Sequence, residues 1–332
     1  MVYIYKKNIG GKDNYYLRVS VRKKDKIISK DIAYLGSKIE EVREKLSKLS
    51  NYKQEIRKSY KILEKFINNE HFLLKAKSIK IKSDPYFSYE TLINLTAAKI
   101  HYSSEFLKKD HKTKSEIYNE FIIDFVYNSN SLEGNTITLG DTAKLLKEDI
   151  APKNKTAREI NDMKNSQKVF QMILETKEEL NEEFIIKIHD ELLSNIDVRL
   201  GFRHDEIRVI GAGFKSTPYP YIKTDIKILI EWYNKNKNLH PLVLASIFHH
   251  KFETIHPFYD GNGRTGRMIM NHILLKNDFP PIIIRKKTRT EYLEGLKKAD
   301  KSGLTQTDPK YYKELIDYTA NELVTNYWNN FI

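Results

Sequence analysis

Residues 255–267 read Ile-His-Pro-Phe-Tyr-Asp-Gly-Asn-Gly-Arg-Thr-Gly-Arg and join two segments of helical periodicity. The preceding segment, residues 242–255, is largely apolar and predicts a buried helix that delivers His256 at its end. Residues 260–263 contain two glycines around an asparagine and predict a loop, because glycine destabilises a helix interior. Helical spacing of apolar residues resumes after Arg264. The stretch therefore predicts a helix, a loop and a second helix in succession.

The predicted loop lies at a helix N-terminus, where free backbone N–H groups and the positive end of the helix dipole favour an anion. Its glycines allow a phosphate to approach the main chain closely. Arg264 and Arg267 are three residues apart on one face of the second helix, so both side chains can point at the same phosphate chain. A Gly-Asn-Gly loop alone is more often an ordinary turn. With its neighbours, it predicts phosphate binding by Gly261, Asn262, Gly263, Arg264 and Arg267.

The full spacing resembles the signature of the Fic family, His-x-Phe-x-Asp/Glu-Gly-Asn-Gly-Arg-x-x-Arg. Further similarity extends from about residue 120 to about residue 300, and includes Gly201-Phe202-Arg203 and Phe279-Pro280-Pro281. Phe258 carries no reactive group and is expected to pack inward and anchor the loop. The signature is matched at His256, Phe258, Asp260, Gly261, Asn262, Gly263, Arg264 and Arg267.

The resemblance implies an enzyme that transfers AMP from ATP to a protein hydroxyl and releases pyrophosphate. His256 is then the general base for the attacking Tyr, Ser or Thr hydroxyl, which suits a histidine. Asp260 is the expected ligand of Mg²⁺, an ion that takes its other ligands from phosphates and water. Asn262 would steady the α-phosphate, and the planar forks of Arg264 and Arg267 would bind the β- and γ-phosphates.

A second motif, at residues 129–134, lies far upstream of the signature and reads Ser-Asn-Ser-Leu-Glu-Gly. Ser129 and Glu133 are four residues apart, so they share a helical face, and Gly134 predicts the end of that helix. The resemblance implies that this segment, about residues 120–134, is the inhibitory helix of the family. Glu133 would pair with Arg267 and so occupy an arginine that the nucleotide needs.

Residues 207–222, here named the flap segment, contain two glycines and two prolines and predict a hairpin. The resemblance implies that the flap segment binds the backbone of the target protein by strand addition. The residues expected to make this contact are Arg208, Val209, Ile210 and Gly211.

The pattern before the signature predicts two further parts of the chain. Residues 1–36 alternate apolar and polar side chains and predict a basic three-stranded β-meander. Residues 37–85 predict a helical connector that begins with a capping box at Ser37-Lys38-Ile39-Glu40 and ends at Asp84-Pro85. Residues 86–332 are then the catalytic domain. The predicted fold class is mainly α, a Fic-type helical domain with a β-hairpin flap, preceded by the small β-meander and helices.

The basic charge is concentrated in the first third of the chain. Residues 1–110 carry 25 Lys and Arg against 13 Asp and Glu, a difference of +12, whereas the whole chain has a net charge of +13. Such a surface suits nucleic acid or an acidic protein, although a general richness in lysine explains it equally well. The chain has no cysteine and no apolar run that could span a bilayer, so a cytoplasmic protein without membrane contact is expected.

Several alternatives stay open at this level. The enzyme could use another nucleotide or a phosphocholine donor, or could remove AMP from a modified protein. A protein of a different class, a nucleic-acid-binding regulator acting through residues 1–36, would show binding that weakens steeply with salt. The hydroxyl acceptor could belong to this protein itself, and a homo-oligomer is compatible with the sequence.

Overall fold

The computed structural model describes residues 1–23, 26–207 and 215–332. The chain opens with an antiparallel sheet in the order β1-β2-β3, in which Ile4 pairs with Leu17 and Leu17 with Ala33. Alternate side chains point to opposite faces, so the apolar ones cover a single face of the sheet. The strands span Val2–Ile9 (β1), Lys12–Lys23 (β2) and Lys26–Gly36 (β3).

Helices α1 (Ile39–Ser47), α2 (Lys53–Lys58) and α3 (Tyr60–Lys77) follow the sheet. The first half of α3 packs with α1 on the apolar face of the sheet, where Leu17, Val42 and Leu63 are buried. The predicted capping box is wrong. Lys38 occupies the N-cap position and makes no side-chain cap, because the helix begins one residue later than the Ser-x-x-Glu spacing requires.

The rest of the described chain is helical apart from its connections. Side chains of Ser88, Asp110, Thr138, Thr156 and Asn181 cap the first free N–H groups of five of these helices, which explains where each begins. The helices are α4 (Tyr89–His101), α5 (His111–Leu132), α6 (Leu139–Glu148), α7 (Ala157–Glu175), α8 (Glu182–Leu193), α9 (Ile222–Lys235), α10 (Pro241–Ile255), α11 (Asn262–Lys276), α12 (Arg289–Ala299) and α13 (Pro309–Asn330).

Helix α10 lies at the centre of the larger core and is buried on nearly all sides. It packs against α9, α11 and α13, while α11 also contacts α5, α7 and α8. The C-terminus of α10 and the N-terminus of α11 therefore meet at one short loop, as the sequence predicted. The second half of α3 joins the same core through Phe72, so the connector packs on both the sheet and the large helical core.

Three boundaries differ from the sequence predictions. Helix α11 begins at Asn262, so Asn262 and Gly263 lie in its first turn and not in the loop predicted over residues 260–263. The predicted inhibitory helix is the end of α5, which begins at His111 rather than near residue 120. The flap segment is not a hairpin up to Ile222, because Tyr219–Tyr221 forms a 3₁₀ turn that leads directly into α9. Residues 208–214 lie outside the described residues, and with them Arg208, Val209, Ile210 and Gly211. Every helix in the ranges that the structure describes is too short or too polar to cross a lipid bilayer.

Candidate active site

His256 ends α10 in a left-handed backbone conformation with φ of 52°. Its N–H donates to the carbonyl of Phe252 at 3.0 Å, and its Nδ1 lies 3.2 Å from the carbonyl of Glu253. Because a carbonyl can only accept, Nδ1 carries the proton and leaves the Nε2 lone pair free. Burial, reinforced by the nearby Arg203 guanidinium, lowers the pKa of the imidazole. The side chain is therefore a neutral base at neutral pH.

The loop after His256 is held by its own side chains. Phe258 is fully buried and stacks on His189 with ring centroids 3.7 Å apart. The Asn262 side-chain amide bonds both backbone groups of Phe258, accepting from the N–H at 3.0 Å and donating to the carbonyl at 2.8 Å. Gly261 has φ of +74°, and a Cβ there would lie 2.6 Å from Leu193 Cδ2, so only glycine fits. Phe258 packs inward as predicted, and the Asn262 side chain is used within the loop.

The first turn of α11 faces the end of α5. A Cβ on Gly263 would clash with Glu133 Oε1 and would lie 2.9 Å from Arg267 Nη1. The carboxylate of Glu133 therefore lies directly above Gly263, where the unpaired N–H groups of a helix N-terminus favour an anion. A negatively charged side chain thus stands where the sequence predicts a phosphate.

Arg267 is buried and binds the end of α5 through three hydrogen bonds. It donates from Nη2 to Glu133 Oε1 at 2.7 Å, from Nη2 to the Ser129 carbonyl at 2.9 Å, and from Nε to Ser129 Oγ at 3.0 Å. Glu133 is the C-cap residue of α5, and Gly134 follows with φ of +95°. The structure therefore brings together the predicted residues Ser129, Glu133, Gly134 and Arg267.

Arg264 points away from Arg267. Its guanidinium is buried and forms an ion pair with Asp162 of α7, and it lies 3.7 Å from Asp260 Oδ1. The predicted convergence of both arginines on one phosphate chain is thus not the arrangement of this structure. Each arginine is engaged by a carboxylate from a different helix.

Asp260 lies at the rim, with its side chain 36% exposed. It accepts a hydrogen bond from the Gly261 N–H at 2.6 Å and forms an ion pair with the exposed Arg158. Although burial opposes the shift, the Arg264 guanidinium, the Gly261 N–H and Arg158 together lower the pKa of Asp260. Groups of three or more His, Cys, Asp or Glu side chains that could hold a metal ion do not occur among the described residues.

A cavity of about 240 Å³ joins these groups. One wall is formed by α12, which contributes Arg289, Tyr292, Leu293 and Leu296. Sequence reasoning missed this wall, as it missed Asp162, Arg158 and Glu253, because nothing local to these residues marks them. The remaining lining residues are Leu132, Glu133, Glu253, His256, Tyr259, Asp260, Gly261, Asn262, Gly263 and Arg267.

A known family model covers the part of the chain that contains His256 and the N-terminus of α11. Residues 179–274 match the family model described as the Fic/DOC family. The chain is 32% identical over 179 residues to protein adenylyltransferase fic-1 of Caenorhabditis elegans, covering 52% of this chain and 35% of the relative. It is 34% identical over 216 residues to protein adenylyltransferase Fic of Drosophila persimilis, covering 62% and 40%. The chain thus spans well under half the length of these curated relatives.

Solved structures with the same fold agree with this family. A Fic-domain-containing signalling protein of Bacteroides thetaiotaomicron superposes with a TM-score of 0.65 at 25% identity, over 70% of this chain and 95% of that one. Residues 134–508 of C. elegans Fic-1 superpose with a TM-score of 0.59 at 27% identity, over 73% and 72%. Both alignments cover most of the present chain.

Proposed function

We propose that this chain, whose residues 179–274 match the Fic/DOC family model, is an autoinhibited protein adenylyltransferase. The single observation that carries this proposal is the position of the Glu133 carboxylate, above Gly263 and on Arg267. That position is one that a phosphate would take, so the site holds an anion mimic supplied by its own chain. The enzyme is then held inactive until Glu133 leaves.

The transfer step uses His256 as the base. A hydroxyl oxygen of the target attacks the α-phosphorus of ATP, and its proton passes to His256 Nε2. The bond between the α-phosphorus and the bridging oxygen breaks, and pyrophosphate leaves. The geometry supports this role because the Glu253 carbonyl fixes the Nδ1–H tautomer and the imidazole faces the cavity.

Binding of the phosphates is assigned to the first turn of α11. Since the Asn262 side chain is bonded to Phe258, its contribution is its backbone N–H together with those of its neighbours. Arg267 is the γ-phosphate ligand once Glu133 releases it. Arg264, which is bonded to Asp162, contributes positive charge behind the loop.

Asp260 is suited to bind Mg²⁺. One carboxylate suffices for this, because the phosphates and water supply the other ligands of the ion. Its carboxylate lines the cavity at the rim, and its partner Arg158 is exposed and can turn away. When bound, the ion would neutralise charge on the phosphates of the donor. This assignment agrees with the lowered pKa of Asp260, which keeps the group ionised.

The acceptor is proposed to be a hydroxyl of a target protein, bound along the flap segment, or a hydroxyl of this chain. The described end of the flap segment carries two exposed tyrosines, Tyr219 and Tyr221, as accessible hydroxyls. A cytoplasmic location, supported by the absence of cysteine, completes the proposal.

The proposal is tested by replacing the inhibitory carboxylate. Glu133→Gly is incubated with ATP, Mg²⁺ and a desalted cell lysate, and proteins carrying an added AMP are counted by mass spectrometry. We expect at least about tenfold more labelling than in wild type. A typical coupling between two binding events, here the inhibitory contact of Glu133 and the binding of ATP, is about 5- to 150-fold. GTP, CTP and a phosphocholine donor in parallel reactions decide between donors.

Glu148→Gly is a matched control, since Glu148 is also an exposed glutamate at a helix C-terminus but lies outside the cavity lining. It should label like wild type. Equal labelling by wild type and Glu133→Gly would refute the inhibitory role. Loss of AMP from a premodified protein, without incorporation, would reverse the proposed direction of the reaction.

A further inference from the structure

Arg203 is a buried cation that the proposed chemistry does not use. Its side chain is 0% exposed, and the nearest carboxylate, that of Glu206, lies 3.9 Å away with 60% of its side chain exposed. Burying a charge is costly unless hydrogen bonds compensate it. A guanidinium in this position therefore points to a specific task rather than to general packing.

The Arg203 side chain donates to three acceptors, all of them backbone carbonyls, and these acceptors indicate its task. Nε donates to the carbonyl of His256 at 2.9 Å, Nη1 donates to the carbonyl of Asp205 at 2.8 Å, and Nη2 donates to the carbonyl of Thr217. Asp205 and Thr217 stand near the two ends of the flap segment. One planar group thus joins the peptide after His256 to both ends of that segment.

We propose that Arg203 is a positioning residue, which holds the main chain of His256 so that its imidazole faces the cavity. This inference rests on the proposed function. His256 occupies the left-handed region, which a non-glycine residue adopts only when its surroundings compensate the conformational cost. Arg203 binds the carbonyl of that same residue and therefore fixes the peptide that follows it.

Further hydrogen bonds join residues 203–205 to the loop after His256. The N–H of Arg203 donates to the Pro257 carbonyl at 3.0 Å. The Tyr259 hydroxyl accepts from the His204 N–H at 3.0 Å and donates to Asp205 Oδ2 at 2.9 Å. The residues after Arg203 and the loop after His256 are thus bonded at successive positions. Arg203 is not among the residues that line the cavity, so it acts through His256 rather than on the nucleotide.

The test compares Arg203→Met and Arg203→Lys, both in the Glu133→Gly background. Initial rates of AMP incorporation at rising ATP concentration give kcat and KM for ATP, and a non-hydrolysable ATP analogue gives Kd. We expect Arg203→Met to lose about 100-fold in kcat, the effect of a misplacement near 1 Å, while KM and Kd stay within twofold. Arg203→Lys should recover part of the loss, because an ammonium can reach only some of the three carbonyls.

The matched control is Lys251→Met on the same helix as His256. Lys251 is also buried, and its Nζ donates to the carbonyls of Gly303 at 2.9 Å and Gln306 at 2.8 Å, away from the cavity lining. It should lose thermal stability without a specific loss in kcat. The inference is overturned if Lys251→Met lowers kcat as much as Arg203→Met. It is equally overturned if Arg203→Met keeps its kcat, or changes only KM and Kd.

A second measurement separates this inference from the proposed function. In protein labelled with ¹⁵N-histidine, long-range proton–nitrogen NMR reports the tautomer of His256. We expect the Nδ1–H form in the parent and in Lys251→Met, and a mixture of forms in the Arg203 variants. Failure of the Glu133→Gly parent to incorporate AMP would refute the proposed function alone. An unchanged tautomer in both Arg203 variants would refute the positioning role.

Discussion

The two arginines of the motif lie three residues apart on α11, yet their ion pairs stand in different surroundings. The side chains of Arg264 and Asp162 are 3% and 11% exposed, whereas those of Arg267 and Glu133 are 3% and 41% exposed. Asp162 lies within α7, and Glu133 lies at the end of α5 beside the cavity. The two pairs therefore differ in how far the carboxylate is exposed and in whether it borders the cavity.

The physical difference is the fate of the carboxylate when its pair opens. A buried carboxylate that loses its partner becomes an uncompensated charge, which costs several kcal/mol. A half-exposed carboxylate is hydrated when it leaves its partner, so opening the ion pair costs the carboxylate little. We therefore infer that Arg264 and Asp162 hold α11 against α7, while Arg267 and Glu133 form a contact that a nucleotide can replace.

The largest expected effect is the loss of AMP transfer when Arg267, the arginine that lines the cavity, is replaced. In the Glu133→Gly background, Arg267→Ala should lower AMP transfer by about 1,000-fold, because a fixed donor to the phosphates is lost. Initial rates of AMP incorporation measure this, and thermal unfolding of the same samples checks integrity. Arg264→Ala serves as the comparison and should instead lose stability, since it leaves Asp162 buried without a partner. If Arg267→Ala kept activity within tenfold of its parent, the distinction between the two pairs would fail.

The next effect concerns stability. Asp162→Ala should lower the free energy of unfolding by about 3 kcal/mol, because the buried Arg264 guanidinium then loses its nearer counter-ion and keeps only Asp260, 3.7 Å away at the rim. Glu133→Ala should lower it by less than about 1 kcal/mol, because the buried Arg267 keeps its two hydrogen bonds to Ser129 and the lost carboxylate is partly exposed. Urea unfolding of the wild type and both variants gives these values. Equal losses in the two variants would mean that exposure does not separate the pairs.

The smallest effect concerns the pH dependence set by His256, a residue that belongs to neither pair. The neutral imidazole is the active form, so a histidine of ordinary pKa near 6.5 would lose half its activity at pH 6.5. Burial lowers the pKa of His256, and the loss should therefore occur at lower pH. The kcat of Glu133→Gly should fall by less than half between pH 8 and pH 6.5. A midpoint at or above pH 6.5 would contradict the assigned environment.

Local patterns predicted much of this molecule. The alternation from Tyr15 to Arg22 predicted the central strand, and the glycines predicted a break between two helices, although the second helix already begins at Asn262. These features depend on neighbours within a few residues, so the printed sequence contains their cause. The predicted nucleic-acid role of residues 1–36 and the oligomeric state stay predictions.

Other local patterns misled. Ser37 and Glu40 have the spacing of a capping box, but the helix begins after Lys38, as packing of Ile39 on the sheet requires. The prolines beside Tyr219 predicted the end of a hairpin, but Tyr219–Tyr221 forms a 3₁₀ turn. Proline also fits the first turn of a helix. In both cases the same residues suit two local structures, so the local pattern alone does not choose between them.

By itself, the sequence determined that a helix N-terminus flanked by glycines follows a histidine, because that geometry depends only on adjacent residues 256–267. The tertiary structure alone decided which side chains surround it: Asp162 on one arginine, the wall of α12, and Arg203 behind the histidine. These partners come from other helices and loops, up to about a hundred residues away along the chain. Only packing of the helices against one core brings such distant groups within hydrogen-bonding distance.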